Sequence, residues 1–290
     1  MNIIGIDLGA TKIRLAKYDS SNWRKLDGTQ FPTKTDQGAE AVIGQLADLI
    51  IHYRDKQTQA VGIGVPGPTL HGIVQEFPNI PGLKNFDLKS KIEDLLKTAS
   101  YKLKINIEND ASCFTTGAWQ SGKHRDKHNI VGLTLGTGVG GGIILDGHLI
   151  RGKNGAAGEF GHEIIRDDKE LEDLVSGTAL SKRWQEKFKE PKTGQEILEL
   201  AMSGNEDAKN FLRSVGQDLG SAIANIILQY NPEIIFIGGS ASAPLPFYQK
   251  SIAEKIAEHC FPESRKTTIE LVKNQDCATF GAAWLAKNGP

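Results

Sequence analysis

Two glycine-bearing segments, Asp7-Leu8-Gly9-Ala10-Thr11-Lys12 and Thr134-Leu135-Gly136-Thr137-Gly138, each follow a run of apolar residues. A glycine turn after a buried strand lets backbone N–H groups come close to an anion, because no Cβ intervenes. In the first segment Asp7 can hold Mg²⁺ through water while Gly9, Thr11 and Lys12 meet phosphate; carboxylate, water and phosphate are the ordinary ligands of this hard cation. In the second, Thr134 stands where the carboxylate was. A neutral hydroxyl there suits the wall of a phosphate cradle, with Gly136, Thr137 and Gly138 supplying the turn, since a second carboxylate would repel the ligand. Either segment alone reads equally as a hairpin connection; the pair, with unlike polar residues, favours phosphate binding. Neither has the Gly-x-x-x-x-Gly-Lys-Ser/Thr order of a P-loop. Gly136-Thr137-Gly138 runs on into strand rather than helix, which disfavours a dinucleotide site.

Two further clusters carry acid–base groups. Glu108-Asn109-Asp110 sits at the end of a strand, where α/β proteins commonly place ligands. Asp110 can accept the proton of an attacking hydroxyl and Asn109 can hydrogen-bond a neighbouring one; read alone, the motif fits an ordinary helix N-cap better. In Gly155-Ala156-Ala157-Gly158-Glu159-Phe160-Gly161-His162, small residues permit close backbone approach, and Glu159 and His162 supply an acceptor and a donor of the kind that distinguishes hydroxyl geometry. A His near a Glu is also a common structural hydrogen bond.

The elements that must position these groups follow from periodicity. Ile3–Asp7 reads as a buried strand and Lys12–Tyr18 as its hairpin partner. Val42, Leu46, Leu49, Ile50 and Tyr53 give residues 39–53 a helical period. Ala60–Val65 is a strand running into the rigid loop Pro66-Gly67-Pro68. Leu103–Glu108 is another, with a helix starting near Asp110. The pattern then restarts: strand Ile130–Thr134, turn, strand Gly140–Leu145. A long helix follows at 206–229, stopped by Asn231-Pro232. Strand Glu233–Ile237 ends in Gly238-Gly239-Ser240, and helices at 249–259 and 277–287 flank strand Thr268–Val272. Alternating strands and helices indicate an α/β fold. Asn2-Ile3-Ile4-Gly5-Ile6-Asp7-Leu8-Gly9 aligns without gaps on Asn129-Ile130-Val131-Gly132-Leu133-Thr134-Leu135-Gly136, in a register that continues to Asp19 against Asp146. Two copies of one strand–turn–strand unit suggest two related domains.

Composition narrows the class. The 290 residues suffice for two domains, and the net charge of -1 supplies no global field toward nucleic acid or an anionic membrane. Three scattered cysteines, Cys113, Cys260 and Cys277, fit a reducing compartment rather than a disulfide framework. No basic leader precedes Asp7 and no apolar run is long enough to span a bilayer, so a cytoplasmic setting is expected.

Together these segments resemble the ROK family (repressors, open reading frames and sugar kinases), its kinase members in particular, over nearly the whole chain. Asp7-Leu8-Gly9-Ala10-Thr11-Lys12-Ile13-Arg14 is similar to the family's first phosphate motif, and Leu133-Thr134-Leu135-Gly136-Thr137-Gly138-Val139-Gly140 to its second. Phe236-Ile237-Gly238-Gly239 resembles the adenosine-side loop. Glu108-Asn109-Asp110-Ala111 resembles the catalytic motif, with Asp110 as general base. Gly158-Glu159-Phe160-Gly161-His162 matches the sugar motif, Leu171-Glu172 ahead of Ser176-Gly177 a further sugar segment, and Asn79 in Pro78-Asn79-Ile80-Pro81-Gly82 another sugar contact.

The resemblance implies an actin-like ATPase (ribonuclease H-like) fold with two α/β domains around a cleft. Residues 1–112 would form the smaller and 113–274 the larger, with a C-terminal helix at about 275–290 packing back on the first. It implies ATP and Mg²⁺ as cofactors, and a hexose-type sugar phosphorylated at its 6-hydroxyl and held by Asn79, Asn109, Asp110, Glu159, His162 and Glu172. A homodimer is also implied. One departure stands out. Many members bind a structural zinc through a His and a cysteine cluster just after the Gly-His pair, whereas no cysteine lies between His162 and Leu180. A zinc site of that kind is not expected, and His162 needs another orienting partner, such as a carboxylate or a carbonyl. Polyphosphate as donor stays open, as does a sugar sensor without turnover. The family's repressors carry an additional N-terminal helix-turn-helix domain, for which a phosphate motif beginning at Asp7 leaves no room.

Overall fold

Each half of the chain builds its own five-stranded sheet, and the two sheets have the same strand order. The computed structural model describes residues 1–77, 80, 84–99 and 101–289. In the first half, β1 (Asn2–Leu8) pairs antiparallel with β2 (Lys12–Asp19), which pairs with β3 (Lys25–Pro32); on its other side β1 runs parallel to β4 (Thr58–Val65), followed by β5 (Lys104–Asn109). In the second half, β6 (Ile130–Leu135) pairs antiparallel with β7 (Val139–Leu145), then β8 (His148–Ile150). Its other side carries the parallel strands β9 (Ile234–Gly238) and β10 (Thr268–Leu271).

The central strands are apolar on both faces, as buried parallel strands must be. Ile3, Ile4, Ile6 and Leu8 of β1 are all buried, as are Ile234 to Ile237 of β9. Against the first sheet, α1 (Ala39–Tyr53) buries Val42, Ile43, Leu46 and Ile50, and α2 (Leu88–Thr98), capped by the Asp87 side chain, buries Leu88, Ile92 and Leu96. Each such side chain contributes about 1.5–3 kcal/mol on leaving water. The second core gathers the inner side chains of β6, β7 and β9 with α7 (Glu206–Tyr230) and α8 (Leu245–His259). Asn231 ends α7 in the left-handed conformation (φ 44°), and Pro232 bars continuation. Helix α8 starts four residues before the period suggests, because Pro244 and Pro246 are tolerated in a first helical turn. The exposed edge strand β3 carries too little apolar pattern to be read from sequence, whereas α2 repeats Leu88, Ile92 and Leu96 at helical spacing behind Asp87, a period open to sequence reading.

Two helices cross between the halves. α3 (Asp110–Ser121) leaves the first sheet but packs on β6 and β7, whereas α9 (Cys277–Asn288) follows the second sheet and packs on β1 and β4. They also pack on each other at backbone contact. A Cβ on Gly117 would fall on the Cys277 carbonyl, and one on Gly281 on the Cys113 carbonyl. The three cysteines are free and buried, and no described helix is long and apolar enough to cross a membrane.

Candidate active site

Asp7 ends β1 directly across from Arg14 of β2, and Arg14 Nη1 lies 3.7 Å from Asp7 Oδ2. Burial raises the Asp7 carboxyl above the usual range and the Arg14 charge opposes that rise. The turn beyond is closed by Gly9 N–H donating to the Lys12 carbonyl (3.0 Å) and braced by Thr33, whose hydroxyl donates to the Gly9 carbonyl (2.7 Å). In the second turn Gly136 N–H donates to Gly138 O (2.9 Å), and the start of a helix grips its carbonyls. Gly177 N–H bonds Gly136 O (2.7 Å) and the Thr178 hydroxyl bonds Thr137 O (3.0 Å). Among the described residues, the N–H groups of Ala10, Thr11, Thr137 and Gly138 have no hydrogen-bond partner. Unpaired amides in tight turns are what an anion site requires.

Both turns open on one cavity of about 1690 Å³. Its wall contains Asp7 and Gly9 from the first turn, Thr134, Gly136, Thr137 and Gly138 from the second, Asn109 and Asp110, then Glu159, His162, Glu172 and Gly239. Thr11 and Lys12 stand exposed outside the lining; Ala10 and Arg14 take the wall instead. Gly238 is buried against the Phe114 ring behind it. Asn79 lies outside the described residues.

Asp110 opens α3, but it is not the cap. Asn109 Oδ1 accepts from Ser112 N–H (2.9 Å), while its Nδ2 donates to the Gly67 carbonyl (3.2 Å) and to Asp110 Oδ1 (3.3 Å). With capping assigned to Asn109, Asp110 is free to face the cavity; its Oδ1 accepts from Ala111 N–H at 2.7 Å. Burial pushes the Asp110 carboxyl up to about 7, and the charges of Asp7 and Glu159 add to the rise. Glu108 points away and is buried in an ion pair with Arg151 (2.7 Å) that also receives Asn109 N–H (3.2 Å).

Opposite, Glu159 is half-buried, and burial raises its carboxyl, with Glu172 adding and His162 opposing. His162 Nδ1 is 2.8 Å from Glu170 Oε2, so a carboxylate supplies the orienting partner. Glu172 Oε2 accepts from Val139 N–H (2.8 Å) and lies where a Cβ on Gly138 would project, which ties it to the second turn. Residues not foreseen include Arg14 and the face of α5 (Gly177–Phe188), where Thr178, Lys182 and Glu186 recur every four residues along the wall. That spacing, behind the Ser176 cap, was a usable signal. Among the described residues no group of three or more His, Cys, Asp or Glu could hold a metal. Asp7, beside the free turn amides, fits the one-carboxylate, water-rich binding that Mg²⁺ adopts next to phosphate.

The ROK family model matches residues 3–289. The chain belongs to the ROK family. It is similar to a glucokinase of Thermotoga maritima, 30% identical over 99% of this chain and 98% of the relative. An N-acetyl-D-glucosamine kinase of Escherichia coli O6:H1 is 28% identical, covering 97% of this chain and 98% of the relative. Among solved structures, a ROK family glucokinase from Streptomyces griseus in complex with glucose and AMPPNP superposes with a TM-score of 0.83 at 26% identity, all of both chains being covered. As a ROK protein, this chain has the actin-like ATPase fold, in which both halves repeat one sheet.

Proposed function

We propose that this chain is a sugar kinase that transfers the terminal phosphoryl group of ATP to a hexose-type sugar, at the 6-hydroxyl. The carrying observation is Asp110, a carboxyl with its pKa raised to about 7, set in one cavity with two turns bearing unpaired amides and with Glu159 and His162. The names of the relatives, glucokinase and N-acetyl-D-glucosamine kinase, and the glucose and AMPPNP bound in the Streptomyces griseus protein support it.

In this reading Asp110 accepts the hydroxyl proton as the sugar oxygen bonds to the terminal phosphorus, and the bond from that phosphorus to the bridging oxygen breaks to release ADP. Asp7 would hold Mg²⁺ through water, and the ion would neutralise phosphate charge when bound. The free amides of Ala10, Thr137 and Gly138, which line the cavity, orient the phosphates and stabilise charge that grows during transfer. Gly239 forms the adenosine side, with Gly238 packed behind it on Phe114. Asn109, Glu159, His162 and Glu172, with Asn79, hold the sugar, Asn109 and Glu172 also fixing the backbone beside it. Residues 1–112 with the helix at 275–290, and residues 113–274, act as two domains whose closure around the α3–α9 crossing excludes water. We place the enzyme in the cytoplasm, as a homodimer.

Coupled ADP release with MgATP is the test, across hexoses and N-acetylhexosamines and with polyphosphate as a second donor. Strong stimulation by one sugar is the expected outcome. Turnover only with polyphosphate changes the donor, and sugar binding without turnover makes the chain a sensor. Asp110→Asn should lower kcat by about 10²–10⁴-fold with sugar affinity retained; full turnover would remove Asp110 from the base role.

A further inference from the structure

Glu170, which no sugar motif singles out, stands behind His162. The His162 ring lines the cavity, Glu170 does not, and the 2.8 Å contact commits Nδ1 to the carboxylate. No described residue partners the other nitrogen, Nε2, which is left for the cavity.

The support under Glu170 is tied to the rest of the fold. It pairs with Ile164 in a two-strand hairpin, Ile164–Arg166 with Lys169–Glu170. Asp167 and Asp168 close it at φ 49° and 56°, the left-handed values that a two-residue hairpin turn of this twist demands. Arg166 Nε reaches Asp218 Oδ1 at 2.7 Å, and Arg183 Nη2 lies 3.0 Å from Oδ2 of the same carboxylate, which is 7% exposed inside α7. Leu171 N–H closes the base of the hairpin on the Glu163 carbonyl at 2.8 Å. A buried, doubly paired carboxylate is costly to disturb, so the hairpin is anchored to the core rather than free on the surface.

We propose that Glu170 is a positioning residue for sugar recognition: it fixes the His162 imidazole through Nδ1 and keeps it charged, so that Nε2–H donates to a sugar hydroxyl. This rests on the sugar-kinase reading above. The charges that act most on His162 are carboxylates, Glu170 on the hairpin, Glu159 just before the ring, and Glu172 on α4 (Leu171–Val175), while Lys169 and Lys182 stand elsewhere on the cavity wall. The Glu170 hydrogen bond raises the His162 pKa, partial burial opposes it, and the charges of Glu170, Glu159 and Glu172 add to the rise. The imidazolium therefore persists to higher pH than in a free histidine. Sugar affinity should fall as pH rises through the His162 midpoint, because Nε2 then loses its proton.

The test compares the full chain with Glu170→Gln. Calorimetric titration with glucose and N-acetylglucosamine gives sugar Kd across about pH 6–9, bracketing histidine titration. NMR of labelled histidine rings, assigned with His162→Gln, gives the His162 midpoint without turnover. In the variant the His162 midpoint should move to lower pH, and the pH at which Kd weakens should move with it. Near neutral pH, Kd should rise severalfold as the protonated fraction of His162 falls, with kcat at saturating sugar changed less than about twofold. An unmoved His162 midpoint, an unchanged Kd, or an equal loss of kcat and affinity with a lowered Tm would overturn the proposal. If the wild type binds sugar as described but transfers no phosphoryl group, only the kinase reading fails.

Discussion

The two glycine turns start from the same sequence pattern and end as different sites. Asp7 and Thr134 occupy the same place, at the end of the central strand of each sheet. Across from Asp7 the partner strand presents Arg14, whereas across from Thr134 it presents Gly140. A Cβ on Gly140 would come within 2.8 Å of Thr134 Oγ1 and 2.9 Å of Ala111 Cβ, so the missing side chain lets the start of α3 lie against the second turn. One turn carries a carboxylate balanced by a guanidinium. The other is neutral and brings Asp110 close. The two sheets end in two similar turns, and the residue opposite each decides which turn carries a charge and which packs against the start of α3.

Breaking the acidic member should cost most. Asp7→Asn is expected to lower kcat by about 10²–10³-fold, the scale of losing one preorganised electrostatic contact, while calorimetric sugar binding stays near wild type. The same variant tests the coupling between the turns. In the proposed reaction Asp110 must be a carboxylate, so kcat/KM should fall about tenfold per pH unit below the Asp110 pKa of about 7. Removing the Asp7 charge takes away one cause of that raised value, so the acid limb should move to lower pH, although burial, the larger cause, remains. An acid limb that stays put would show that the two carboxylates do not interact.

Making the turns alike should cost less. Thr134→Asp places a second carboxylate on the phosphate cradle, and the KM for ATP should rise about tenfold or more from like-charge repulsion. An unchanged KM would mean that the second turn does not meet phosphate. The smallest effect is expected at Lys12, which stands outside the cavity wall. Lys12→Ala should change the KM for ATP by no more than about twofold, as a solvated charge screened by salt would; a large rise would place its side chain on the donor after all.

Much of this is legible in the order of the residues alone. The central strands, α1, α7 and α9 follow from apolar spacing, because burial on one or both faces leaves a period that can be counted. Weakly apolar pieces are not legible: β3 and the hairpin carrying Glu170 owe their form to turns and to partners distant in sequence. The ungapped alignment of the two halves also slips. Leu8 pairs with Ile13 across Gly9, Ala10, Thr11 and Lys12, but Leu135 pairs with Val139 across only Gly136, Thr137 and Gly138. The second turn is one residue shorter, so Asp19 matches Leu145 in place, not Asp146. Gly140, Gly141 and Gly142 have no side chains to betray the shift.

By itself the amino-acid sequence determined which residue types were available and the order in which α/β elements would present them: Asp7 and Thr134 at strand ends, Asp110 at a helix start, Glu159 and His162 in a small-residue loop. Those are local facts, set by propensity and periodicity over a few residues. Only the tertiary structure decided that Asn109 rather than Asp110 would cap α3, that Arg14 would face Asp7, and that Glu170 would stand behind His162. It also raised the Asp110 carboxyl to about 7. That rise comes from desolvation and from the charges of Asp7 and Glu159, brought together from distant parts of the chain, and burial and separation exist only once the chain has folded.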